Sequence, residues 1–165
     1  MKFQDLFLVG MKRELPEIET PTGLILNLGA GNTEMLGTVP LDYPSWDATR
    51  DPIPYGDGAV DHIFAFHFLE HLSGVDVIRV LREAQRVLRP GGTMLVVVPH
   101  RLSQMAFHDL DHKSFWCEET WRTLFSTPYY DKNRESPWKL RISFNLLAGL
   151  NERNLALFTQ LVREP

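Results

Sequence analysis

Leu24-Ile25-Leu26-Asn27-Leu28-Gly29-Ala30-Gly31-Asn32 is the stretch that decides the fold. A short apolar run that ends in Gly-x-Gly reads as a buried strand feeding a tight turn. Glycine at such a turn lets backbone N–H groups approach a ligand with no side chain between them. The next run, Thr38 to Asp42, is a second short strand that ends in an acid. In open parallel sheets ligands sit at the carboxyl ends of the strands, so Gly29, Gly31 and Asp42 would face one crevice. The dinucleotide fingerprint needs a third glycine where this chain has Glu34, and an acid about 20 residues further on. Asp42 comes too early, and dinucleotide binding is disfavoured.

Outward from this stretch the elements alternate. Pro40, Pro44, Pro52 and Pro54 keep the segment to Tyr55 irregular, and Val60 to Phe68 is a third apolar run. A helix is expected from Ser73, with Asp76 at capping-box spacing, to the stop at Pro90-Gly91-Gly92. Val77, Val80, Leu81, Ala84, Val87 and Leu88 share one face of it, and Arg79, Arg82, Arg86 and Arg89 form a stripe read as a solvated outer face. Thr93 to Val98 is β-branched enough for a central strand, and Glu118 to Phe125 is a second helix. Trp138 to Leu147 and Asn154 to Val162 form a closing antiparallel hairpin. Together these predict a Rossmann-like α/β domain: a mostly parallel sheet, a C-terminal antiparallel β-hairpin, and helices on both faces. One domain fills 1–165, with an N-terminal helical segment over 1–22, a cofactor-binding core over 23–125 and the hairpin over 126–165.

Composition narrows the function. The chain has 165 residues, a net charge of −4 and a single cysteine, Cys117. No internal disulfide is possible, and a reducing, cytoplasmic setting is expected. An acidic balance argues against electrostatically driven nucleic-acid binding. No apolar run reaches the ~20 residues of a membrane span.

The glycine turn has company. Val39-Pro40-Leu41-Asp42, Trp46-Asp47-Ala48-Thr49, Ile53-Pro54-Tyr55-Gly56-Asp57-Gly58-Ala59-Val60-Asp61, His67-Phe68-Leu69-Glu70-His71-Leu72 and Leu81-Arg82-Glu83-Ala84-Gln85-Arg86-Val87-Leu88-Arg89-Pro90-Gly91-Gly92 follow it in order. This succession, over about residues 23 to 125, resembles the class I S-adenosylmethionine-dependent methyltransferases of the compact methyltransferase-11-like type. The resemblance implies S-adenosyl-L-methionine as cofactor. Gly29, Ala30 and Gly31 would pass under its methionine part, and Asp42 would bind the ribose hydroxyls with Tyr43 beside the adenine. Asp47 and Ala48 would meet the adenine edge, and His67 would lie near the sulfonium. Asn27 stands where the family usually has an acid, and Asn32-Thr33 replaces the third small residue of the turn. The implied function is methyl transfer to a small-molecule acceptor; the alternative is a non-catalytic cofactor- or partner-binding relic of the same fold.

Rival signals are weaker. His67-x-x-Glu70-His71 matches a zinc-peptidase pattern, but that chemistry needs both histidines on one helix. Here Ile63 to Phe66 reads as strand and Ser73-Gly74 breaks any helix. Some O-methyltransferases of the superfamily hold a divalent ion with an acid-rich Glu-His segment here; His67 replaces one of those acids, and no metal is assigned. Neither Asp51-Pro52-Ile53-Pro54-Tyr55 nor Ser126-Thr127-Pro128-Tyr129 stands where a DNA-base methyltransferase needs its clamp, so nucleic acid is disfavoured as acceptor. His71, His100 and His112 form the pool of candidate catalytic bases. Arg101 to Trp116 is read as an acceptor-side loop. Its Asp111 and Lys113 flank His112 and argue against a buried setting for that ring. Phe115 and Trp116 are expected to pack on the following helix.

Overall fold

A computed structural model of the chain describes residues 21–32, 35–126, 138–149 and 154–165. The expected N-terminal helix lies outside them. Strands β1 (Ile25–Leu28), β2 (Val39–Leu41), β3 (Val60–Phe66), β4 (Leu88–Pro99), β5 (Leu140–Gly149) and β6 (Leu155–Arg163) join in one sheet, in the order β2-β1-β3-β4-β6-β5. β2, β1, β3 and β4 run parallel, with Leu26 opposite both Val39 and Ile63 and Phe64 opposite Leu95. β6 runs antiparallel beside β4, and β5 lies antiparallel on β6. All four residues of β1 are buried, as a continuous apolar strand inside a parallel sheet requires. None of the described helices is long and apolar enough to cross a membrane.

Helix α1 (Gly74–Val87) starts as expected, with Ser73 Oγ accepting the Asp76 N–H at 3.4 Å. It stops earlier than the sequence pattern suggested, because the strand begins at Leu88. Val60 pairs with Leu88 and His62 with Thr93, so Pro90-Gly91-Gly92 forms a bulge inside the strand instead of a loop before it. A Cβ on Gly92 would sit 2.9 Å from the carbonyl oxygens of both Arg89 and Asp61, which leaves only glycine for that approach. Helix α2 (Glu118–Ser126) follows the loop after β4. Leu26, Ile63 and Val96 of one sheet face pack with Val80 and Leu81 of α1 and Trp121 of α2 in a single cluster. Ile25, Phe64 and Leu95 form a separate cluster, joined by Met35, on the alternate positions of the same strands. Both described α-helices thus lie on one face, where helices were expected on both; the expected N-terminal helical segment falls outside the described residues.

The arginine stripe is a fastening, not a free basic face. Arg86 is bonded to Glu83 (2.6 and 2.9 Å), to Asp57 (2.9 Å) and to the carbonyls of Tyr55 (2.8 Å) and Ile53 (3.0 Å). Glu83 in turn accepts the Ile53 N–H at 2.9 Å. Arg82 lies 3.7 Å over the Trp138 ring, and Arg79 donates to the Arg50 carbonyl. A segment too proline-rich for regular structure is therefore held to α1 by charge-assisted bonds.

Two stability predictions follow from these contacts. Arg86→Met should cost roughly 2 kcal/mol in denaturant melts, the scale of hydrogen bonds to charged groups. The Arg86 hydrogen bond, foremost, holds Glu83 below its ordinary pKa of 4.5. A depressed carboxylate contributes its stability above the ordinary value and loses it as pH falls through the folded one, so acidification below 4.5 should cost the variant less than the parent. Gly29, at φ +66, has Phe68 Cδ2 only 2.2 Å from where a Cβ would be. Gly29→Ala adds left-handed strain to overpacking, and a loss of about 2–4 kcal/mol is expected in the same melts.

Candidate active site

The carboxyl ends of the parallel strands β1, β2, β3 and β4 share one edge of the sheet, and Gly29, Asp42, His67 and His100 stand directly at or just beyond those ends. Gly29 and Gly31 are both left-handed, at φ +66 and +55. The Gly29 N–H is donated to the Leu41 carbonyl at 2.9 Å, which ties the end of β1 to the end of β2. Around Gly31 nothing lies within 4 Å of a built Cβ. Its N–H reaches Asp42 Oδ2 at 2.6 Å, while Asp42 Oδ1 accepts the Tyr43 N–H at 2.8 Å. Each carboxylate oxygen therefore has one protein donor and keeps a lone pair for another. Ala30 is buried under the turn.

Asp47 is placed differently from Asp42. Its Oδ1 accepts the Thr49 hydroxyl (2.7 Å) and the Thr49 N–H (2.9 Å). These two bonds, the hydroxyl first, hold its carboxyl below the ordinary carboxylate range. Its side chain closes a local turn. Ala48 is buried in the main core, and Tyr43 is exposed. Asn27 is buried in β1.

His67, at the carboxyl end of β3, has φ +51, the only such non-glycine among the described residues. A left-handed histidine at the carboxyl edge of the sheet carries backbone strain that its surroundings must offset. Its N–H is donated to the Val97 carbonyl at 2.8 Å, and its Nδ1 lies 3.1 Å from Glu70 Oε1. His67 and His71 do not share a helix: β3 ends at Phe66, and only a short 3-10 turn, Leu69–His71, follows. The zinc-peptidase geometry is absent.

Of the three candidate bases the structure brings two together. The His71 and His112 rings meet edge to face at 4.8 Å. His100 stands apart, buried at the end of β4, with Leu102 N donating to its Nδ1 (3.3 Å) and its Nε2 3.2 Å from Glu118. Both of its nitrogens are committed. The reading of His112 as an open ring is corrected: its side chain is only 7% exposed. Asp111 and Lys113 do face solvent, but Lys113 N and Ser114 N are donated to the Glu70 carbonyl at 2.7 and 3.1 Å, which draws the chain inward at 112. Trp116 packs on Trp121 of α2 as expected, whereas Phe115 stacks on Phe107 within its own loop.

In the sequence Glu70 enters only through the disfavoured zinc-peptidase pattern and the Glu-His segment to which no metal is assigned. It is 1% exposed, and its neighbours Phe68, Leu69 and Leu72 were the available signal: an acid inside an apolar run is either paired or functional.

Comparison with known proteins bears on the domain and the fold. Residues 29–96 match the family model described as a methyltransferase domain. An S-adenosylmethionine-dependent methyltransferase from Methanosarcina mazei superposes with a TM-score of 0.60 at 12% identity, over 85% of this chain and 92% of that one. A chain from the complex between the Haloferax volcanii Trm112 methyltransferase activator and a methyltransferase gives 0.60 at 14%, over 86% and 83%. The 16S rRNA (adenine(1408)-N(1))-methyltransferase of Catenulisporales acidiphilia, solved with S-adenosylmethionine as cosubstrate, gives 0.56 at 15%, over 86% of each chain. No curated protein matches the chain significantly. At these identities the likeness to solved structures is one of fold. Over residues 29–96, from the glycine turn to the middle of β4, the chain is similar to the methyltransferase-domain family, and its fold is that of S-adenosylmethionine-dependent methyltransferases.

Proposed function

We propose that the chain transfers a methyl group from S-adenosyl-L-methionine to a small-molecule acceptor in the cytoplasm. One observation carries the reading: on the carboxyl edge of the sheet the Gly31 N–H donates to Asp42 Oδ2 at 2.6 Å, and the space a Gly31 side chain would fill is open. The residues present fit the cofactor. Asp42 has a lone pair on each oxygen for a ribose hydroxyl. Gly29 and Gly31 keep the turn free of side chains where the methionine part would pass. When bound, the cofactor supplies a methyl group that is already activated by its sulfonium.

What remains for the protein is placement. An acceptor held in line with the methyl carbon gains most of its rate from orientation, so the walls of the cleft matter more than any one group. Where the acceptor must lose a proton, His71 and His112 are the bases that stand together, and Nε2 of His112 is the free acceptor because its Nδ1 faces the Ala106 carbonyl at 3.1 Å. His67, His71 and His112 then border the transfer, and His100 serves the fold.

Calorimetry with S-adenosylmethionine and S-adenosylhomocysteine should show one site per chain. Asp42→Ala should weaken it about 30-fold, or roughly 2 kcal/mol, as the loss of charge-assisted bonds predicts. Gly31→Ala separates site from scaffold: the added methyl meets no protein atom, so folding should suffer by only about 1 kcal/mol of left-handed strain while cofactor binding falls sharply. No binding at millimolar cofactor, or a Gly31→Ala variant that binds normally, would sink the proposal.

A further inference from the structure

We infer that Glu70, His71 and His112 form a binding site for a divalent transition-metal ion. One carboxylate oxygen and one ring nitrogen from each histidine lie within 4.8 Å of one another. The three come from two segments, the 3-10 turn after β3 and the loop after β4, so the site exists only in the folded chain. An ion on His112 Nε2 takes the lone pair that the general-base reading uses, so the two assignments exclude each other at that ring, and the metal site rests on no claim about methyl transfer.

Three further observations point to a cation. Glu70 is 1% exposed; its Oε1 faces His67 Nδ1, and its Oε2 is buried with no hydrogen-bond partner. An orphaned acceptor of this kind is costly, and a carboxylate there calls for a positive charge. The His112 ring is oriented as a metal ligand would be. Its Nδ1 faces a backbone carbonyl, which can only accept, so in the neutral ring the proton sits on Nδ1 and Nε2 carries the lone pair. Metal-binding histidines are oriented in this way, by a carbonyl or carboxylate on the other nitrogen. Lastly, Asp109 Oδ2 lies 3.9 Å from His112 Nε2, too far for a hydrogen bond but beside the cluster.

Two imidazoles and a carboxylate, with a second carboxylate at the open side, make a donor set for Zn2+, Co2+, Fe2+ or Mn2+; all-oxygen sites suit Mg2+ and Ca2+ better. The set is not the local His67-x-x-Glu70-His71 pattern. His67 holds Glu70 from behind, and the third ligand comes from beyond the next strand. No metal is assigned here from the sequence alone. The backbone prepares the arrangement, since Lys113 N and Ser114 N both bind the Glu70 carbonyl and so fix His112 over the turn.

The test uses the full chain stripped by chelator, with Zn2+ and Co2+ as probes. One ion should bind per chain by calorimetry and elemental analysis, and Co2+ should show visible d–d absorption. Glu70→Gln, which keeps the shape, should cut affinity at least ~10-fold, as should His71→Ala and His112→Ala. His62→Ala is the control, since that ring bonds Thr93 at 2.8 Å far along β3. Circular dichroism on each variant separates lost ligands from lost structure, and the Co2+ spectrum of folded Glu70→Gln settles the case where a histidine variant fails to fold. No uptake of either ion at micromolar concentration, or uptake unchanged in Glu70→Gln, would overturn the inference.

Discussion

The cleft depends on one steric fact: the Phe68 ring fills the space where Gly29 would carry a side chain. The end of β1 can turn left-handed only because that residue has no Cβ, and it can lie against Phe68 only for the same reason. Phe68 also meets Trp46, with ring centroids 6.2 Å apart, and the Trp46 indole donates to the Pro52 carbonyl at 3.1 Å. The glycine turn, the proline-rich segment and the end of β3 thus converge on one aromatic ring. Moving any of them moves Asp42, whose carboxylate is set by Gly31 and Tyr43 on either side.

Charge is used unevenly around this centre. Arg122 and Glu119 form an ion pair on the outer side of α2, both 69% exposed, and a pair of that kind contributes little. Arg86 spends its donors on two backbone carbonyls and two acids, so it orders a segment that has no helix or strand of its own. Glu70 works through both of its ends. Its carbonyl anchors the loop after β4, and its carboxylate is shut inside the protein.

The sheet was readable because each strand has an apolar run with a punctuating glycine or acid, as Leu24 to Gly31 and Thr38 to Asp42 do. The start of β4 was not, because Pro90-Gly91-Gly92 has the composition of a stop and acts as a bulge only through its contact with Asp61 on another strand. The burial of His112 was hidden for a similar reason. Its neighbours in sequence are charged, and the two bonds that draw it inward end on a carbonyl in a distant segment. Arg86 followed the same logic: helical periodicity places it on the outer face, and only the tertiary partners Ile53 and Tyr55 reveal that this face is covered. Side-chain chemistry could be listed from the sequence, whereas backbone acceptors and their partners could not.

The sheet order has a bearing on how the chain is made. β5 precedes β6 in sequence, yet β6 lies between β5 and β4, and among the described strands β5 pairs with β6 alone. A polypeptide emerging from the ribosome therefore carries residues 140–149 with their hydrogen-bonding edges open until residues 155–163 arrive and insert beside β4. Late, long-range pairing of this type slows folding and exposes strand edges to other chains. During synthesis, the vulnerable interval falls after the parallel strands are complete and before the sheet is closed.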